Sequence, residues 1–142
     1  MPIATYRYKR LKDLQVPIIT LAIQYGEEWY PVEACVDSGA TYSVFTTQVA
    51  DRLGLDYRTG SKVYVQVGDG GFIPVYLHSL EIQVGKHRLT VPLGFSDKLG
   101  IRFNLLGRAE IFSYFKVCFD ERDFLITFSP YEVQRRSLGA GG

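Results

Sequence analysis

Asp37 closes the apolar run Ala34-Cys35-Val36 and is followed at once by Ser38, Gly39 and Ala40. A carboxylate placed where an apolar strand ends in a turn is costly to charge unless it is hydrogen-bonded or paired. The same position suits proton transfer, because a carboxylate held in a partly dry turn can serve as a general acid or base. Asp and Gly are also ordinary turn residues, so the triplet alone is open to a purely structural reading. The other chemically capable residues form no comparable set. His78 and His87 are the two histidines, and neither stands beside a nucleophile in sequence. Pairing Cys35 with a histidine would have to arise through space, and Cys35 reads better as a buried strand residue beside the Asp37 turn. Two cysteines and two histidines so scattered lack zinc-ligand spacing, so no metal is expected. Gly68-Asp69-Gly70-Gly71 lacks the Lys-Ser/Thr and the helix start of a phosphate loop, and no cofactor is implied.

The elements around these residues follow from patterning. Two β-rich runs, 16–25 and 29–36, joined by Gly26-Glu27-Glu28, predict a hairpin whose second strand delivers Asp37. A short extended piece follows at 42–45, and Thr46 then has the character of an N-cap for a helix through Leu53, ended by Gly54. Runs 63–67 and 72–77 flank Gly68-Asp69-Gly70-Gly71, a tip whose glycines admit the positive φ of a tight hairpin. Another hairpin is predicted from 80–84 and 87–93 around Gly85-Lys86. Leu105-Leu106-Gly107 reads as an apolar strand end, 109–115 as a short helix, and 116–119 with 124–128 as the last hairpin. Such spacing predicts a mostly β, largely antiparallel, barrel-like or sandwich domain with two short helices.

Taken in order, these landmarks resemble the retropepsins, the single-lobed aspartic proteases of retroviruses and their cellular relatives, over roughly residues 14–128. Ala34-Cys35-Val36-Asp37-Ser38-Gly39-Ala40 is similar to the family's apolar-Asp-Ser/Thr-Gly-Ala segment. Residues 67–72 stand in the place of the flap, and Asn104-Leu105-Leu106-Gly107-Arg108 is similar to the two-apolars-then-glycine motif with its following Arg. The resemblance implies a single-lobed retropepsin-like acid-protease β-barrel with short helices, active as a symmetric homodimer, and a cofactor-free aspartic endopeptidase activity. It assigns the catalytic carboxylate to Asp37, a hydrogen bond across the dimer axis to Ser38, and a close backbone approach to Gly39. Ala40 and the flap residues Gly68, Asp69, Gly70 and Gly71 would lie along an extended peptide or protein substrate. Residues 124–128 would form part of an interface sheet made from both chains' ends.

The implied chemistry can also be argued from charge. Two carboxylates about 3 Å apart cannot both ionise cheaply, so the pair shares a proton and offers base and acid together to one attacking water. Asp37-Ser38-Gly39 occurs once in the chain, so two copies must each supply one aspartate about a twofold axis. Two positions depart from the best-known viral pattern: Thr41-Tyr42 follows Ala40 in place of acidic residues, and Asp69 stands among the flap glycines. The alternative reading is a retropepsin-like dimeric peptide-binding or assembly module with little or no proteolysis.

Composition sets the remaining bounds. With 142 residues the chain suits one core, and it divides into an extension or arm at 1–13, a domain at 14–129 and a tail at 130–142. Sixteen Lys+Arg against 15 Asp+Glu leave a net charge of +1, which points to neither nucleic acid nor an anionic membrane. Small basic clusters at Lys9, Arg10 and Lys12 and at Arg135 and Arg136 read as solvated termini. The longest apolar stretch, 16–23, is too short to span a bilayer, and no signal core opens the chain. Cysteines within apolar runs fit a reduced compartment, and a cytoplasmic location is expected.

Overall fold

The computed structural model describes residues 2–100 and 103–131. Arg135, Arg136 and nearly all of the tail at 130–142 lie outside the described residues. The chain opens with β1 (Ala4–Arg7) and a small antiparallel pair, β2 (Lys9–Leu11) and β3 (Leu14–Val16). The predicted hairpin follows as β4 (Ile18–Tyr25) and β5 (Glu28–Val36), in a register that sets Ile18 opposite Cys35 and Tyr25 opposite Glu28. Alternation selects its buried face. Ile19, Leu21 and Ile23 turn inward with Val32, Ala34 and Val36, as the period of two requires.

β6 (Ser43–Thr46) leads into α1 (Thr47–Leu53), which buries Val49, Ala50 and Leu53. Gly54 ends the helix in the left-handed region, at φ +81°. Thr46 occupies the predicted N-cap, although its hydroxyl makes no capping bond. A 3-10 turn, Tyr57–Thr59, precedes β7 (Ser61–Gln66), β8 (Phe72–Val84) and β9 (His87–Ser96). β10 (Leu105–Leu106), β11 (Phe115–Asp120) and β12 (Leu125–Pro130) complete the described elements. The larger sheet runs β4-β5-β10-β6-β9-β8-β7 and curls until β4 also meets β8, while the smaller runs β1-β12-β11. Phe45 and Phe95 from the first and Phe115 and Phe128 from the second are fully buried in one shared core. This is the mostly β architecture that the patterning predicts, in the single-lobed form that the resemblance implies.

Two details differ from the sequence reading. The segments 72–77 and 80–84 are one strand of 13 residues, because β8 pairs with β7 along its first half and with β9 along its second. No helix forms at 109–115. Stacked turns carry that segment, with the Phe112 and Phe115 N–H groups reaching the Arg108 and Ile111 carbonyls. Glu110 sits at φ +65°, where an α-helix cannot continue. Within one chain β12 is paired on both sides, by β1 and by β11, so residues 125–128 would join an interface sheet between chains as an inner strand rather than as its edge.

The N-terminal residues are tied in by more than β1. Tyr6 packs edge-on against Phe128 with centroids 5.9 Å apart, and its hydroxyl accepts the Gly85 N–H at 2.9 Å. Tyr8 donates its hydroxyl to Glu121 at 2.6 Å, and burial together with that carboxylate pushes the phenol's pKa well above its usual value. Tyr6→Ala is expected to lower the unfolding free energy by about 2 kcal/mol through lost packing, read as a lower urea midpoint at fixed protein concentration. An unchanged midpoint would mean that this strand stands outside the cooperative unit.

Candidate active site

The short strand β10 lies between β5 and β6. It runs parallel to β5, with Leu105 beside Cys35 and Leu106 beside Val36, and antiparallel to β6, with Leu105 beside Val44. The turn from Asp37 to Tyr42 must therefore pass over the end of β10, and backbone hydrogen bonds fix that crossing. The Cys35 N–H donates to Asn104 O at 2.8 Å and the Asp37 N–H to Leu106 O at 2.9 Å. In return, the Arg108 N–H reaches Ala40 O at 2.9 Å and the Ala109 N–H reaches Thr41 O at 2.8 Å. Gly107 is required where the two segments touch. A Cβ there would stand 2.5 Å from the Tyr42 carbonyl oxygen and 2.8 Å from that of Ala40.

Polar side chains complete the support. The buried Ser43 hydroxyl accepts the Gly107 N–H at 2.9 Å. Asn104 donates to Glu33 O at 2.8 Å and accepts the Thr46 N–H at 3.0 Å, so one amide binds β5 to β6.

Asp37 itself is half-buried. Its Oδ1 accepts the Gly39 N–H at 2.8 Å, and a Cβ on residue 39 would come within 3.2 Å of that oxygen. Among the described residues no cation lies within ion-pair distance of Asp37, so its charge is not consumed by a structural partner. The adjacent Cys35 thiol is pushed up from its usual pKa by burial and then by the Asp37 charge.

A cleft of about 1110 Å³ opens over this turn. Asp37, Gly39 and Ala40 line one side, and Gly68, Asp69 and Gly70 from the β7–β8 tip line another. Ser38 and Gly71, also singled out in the sequence, are exposed and do not line it. The tip is a tight turn with Gly70 at φ +88°, closed by the Gly70 N–H on Val67 O at 2.9 Å and the Val67 N–H on Gly71 O at 2.8 Å. Asp69 repeats the device seen at Asp37: its Oδ1 accepts the N–H two residues on, from Gly71, at 2.8 Å. Tyr42, Tyr64, Lys98 and Leu99 also face the cleft. No motif marks Lys98 and Leu99, which lie in the connection between β9 and β10. A smaller recess of about 360 Å³, lined by Cys35, Arg52 and Asn104 among others, does not include Asp37.

The histidines are engaged elsewhere. His78 Nε2 bonds to Tyr57 O at 2.8 Å and His87 Nε2 to Pro2 O at 2.7 Å, so each ring donates from Nε2 to a carbonyl. Among the described residues no group of three or more His, Cys, Asp or Glu is placed to hold a metal ion, and no helix is long and apolar enough to cross a membrane.

The aspartyl protease family profile matches residues 19–109. Among solved structures, a retropepsin-like aspartic protease from Rickettsia conorii is similar at a TM-score of 0.67 and 17% identity, covering 89% of this chain and 91% of that one. The EIAV protease complexed with the inhibitor HBY-793 is similar at a TM-score of 0.52 and 23% identity, covering 73% of this chain and 91% of that one. At these identities the structural likeness speaks for the fold. No curated protein matches the chain at a significant level.

Two measurements probe the site's construction. Gly107→Ala is expected to cost about 1–3 kcal/mol, because backbone rather than side chain must move to admit the methyl; a thermal melt matching that of the parent would contradict the crossing described. Thiol labelling near neutral pH should modify exposed Cys118 well before Cys35, whose raised pKa leaves less thiolate. Asp37→Asn should speed labelling of Cys35 by removing the neighbouring charge, and an unchanged rate would separate the two groups electrostatically.

Proposed function

The chain belongs to the aspartyl protease family, and from that premise we propose that it is an aspartic endopeptidase whose two catalytic carboxylates are the Asp37 side chains of two copies. The observation that carries this reading is the placement of Asp37: a carboxylate without a cation partner among the described residues, on the wall of a large cleft, on a turn locked to β10. A chain with one such aspartate meets the need for a pair by symmetry.

Two facing carboxylates share one proton. The ionised member takes a proton from a water as the oxygen attacks the peptide carbonyl, and the protonated member donates to the carbonyl oxygen. Later a proton passes to the leaving amine. Ser38, exposed beside Asp37, is free to bond across the axis. The Gly39 N–H orients the carboxylate through Oδ1. The β7–β8 tip acts as the flap, covering an extended peptide whose main chain meets Ala40 on one side and Gly68 to Gly70 on the other.

Asp37→Asn should lower cleavage of a mixed peptide substrate by about 10²- to 10⁴-fold, the contribution expected of a positioned acid–base group. Wild-type activity should fall faster than linearly on dilution and decline as rising pH strips the shared proton from the pair. Equal cleavage by parent and variant would sink the assignment. Absent cleavage with retained peptide binding would favour a dimeric peptide-binding module.

A further inference from the structure

Resting on the peptide-cleft reading above, we propose that the cleft selects substrates with an acidic side chain near the scissile bond, read by Lys98 and Arg108. Lys98 lines the cleft, and its backbone N–H is fixed by the buried Ser96 hydroxyl at 3.0 Å, so the base of this flexible side chain is anchored. Arg108 follows Gly107 directly behind the catalytic turn. Its backbone N–H holds Ala40 O at 2.9 Å, and its Nη2 donates to Thr41 Oγ1 at 3.2 Å, which places the guanidinium beside a residue of the cleft wall.

Among the described residues neither cation is neutralised. Among the described residues the ion pairs are Lys9 with Glu33 and Arg58 with Asp97, and neither includes Lys98 or Arg108. Asp97, next to Lys98 in sequence, is engaged by Arg58 at 3.8 Å. The residues after Ala40 are Thr41 and Tyr42, so the wall near Arg108 supplies a hydroxyl where a carboxylate could have quenched it. Both side chains are exposed; Lys98 lines the cleft itself, and Arg108 borders it through Thr41.

The acids of the cleft are arranged differently. Asp37 belongs to the reaction, and Asp69 sits at the β7–β8 tip with Oδ1 bound to the Gly71 N–H. Lys98 and Arg108 belong instead to the β9–β10 connection and the segment after β10. A substrate carboxylate therefore gains where it meets Lys98 or Arg108 and loses where it meets Asp69. The selectivity is a matter of position along the peptide rather than of overall charge.

The test uses Asp37→Asn protein, so that binding is read without turnover, and labelled peptides of one parent sequence in which a single Glu is moved through successive positions, each with a Gln control. Fluorescence anisotropy is expected to show tighter binding of the Glu peptide at one or two positions, by about threefold for each cation engaged, as for a solvent-exposed ion pair. That preference should weaken as salt is raised. Adding Lys98→Glu, a change at an exposed position, should shift the preference at one of those positions toward a Lys-bearing peptide. The same ordering should appear in wild-type kcat/KM. Equal binding of Glu and Gln peptides at every position would overturn the proposal while leaving proteolysis by the wild type untouched. A positional preference without wild-type cleavage would uphold it and defeat the protease reading, and a cleft that binds no peptide would overturn both.

Discussion

Backbone hydrogen bonding between the Asp37 turn and a strand of two residues is the constraint on which the site depends. The turn carries amides and carbonyls that need partners once half-buried, and β10 with the residues flanking it supplies them in both directions: Leu106 accepts from Asp37, while Arg108 and Ala109 donate back to Ala40 and Thr41. The approach is close enough that position 107 admits no side chain. Asn104 and Ser43 then satisfy the donors and acceptors that the ladder leaves over. Such over-determination allows one carboxylate to be held in a fixed orientation without a neutralising cation.

Rigidity declines outward from that point. β6 runs parallel to β9 and brings Phe45 beside Phe95, with both rings fully buried behind the turn. β8 spans the gradient within a single strand. Ile82 toward its root and Val75 between root and tip are fully buried, whereas Phe72 at its tip and Tyr64 across from Pro74 are each 64% exposed. A ribbon anchored by core packing at one end and held mainly by its own hydrogen bonds at the other is expected to have lower local stability at its tip than at its root.

Much of this was legible in the sequence. Alternation in the β4–β5 and final hairpins, the glycines of the β7–β8 tip, and Thr46 with Gly54 around α1 are local signals, and local physics decided those elements. The apolar-Asp-Ser-Gly run located the turn because an aspartate there has few inexpensive explanations. What escaped was set at long range or by unmarked residues. The pairing of Ala4 with Phe128 joins opposite ends of the described chain, and no local pattern announces it. The apolar spacing of Ile111, Phe112 and Phe115 suits a helix, yet the left-handed geometry falls on Glu110, a residue type that gives no warning of it. Lys98 comes from a connection without a motif and joins the cleft only through folding.

The pairing of β12 within its own chain has a consequence for how the protein would be governed. With β12 flanked on both sides by strands of its own chain, the core described in one copy needs no strand from another, so on the proposed reading acquiring a fold and acquiring a complete catalytic pair would be separate events. Newly made chains would then form a reservoir of folded, silent half-sites. On the paired-aspartate reading, abundance and co-localisation would then help to set when proteolysis begins.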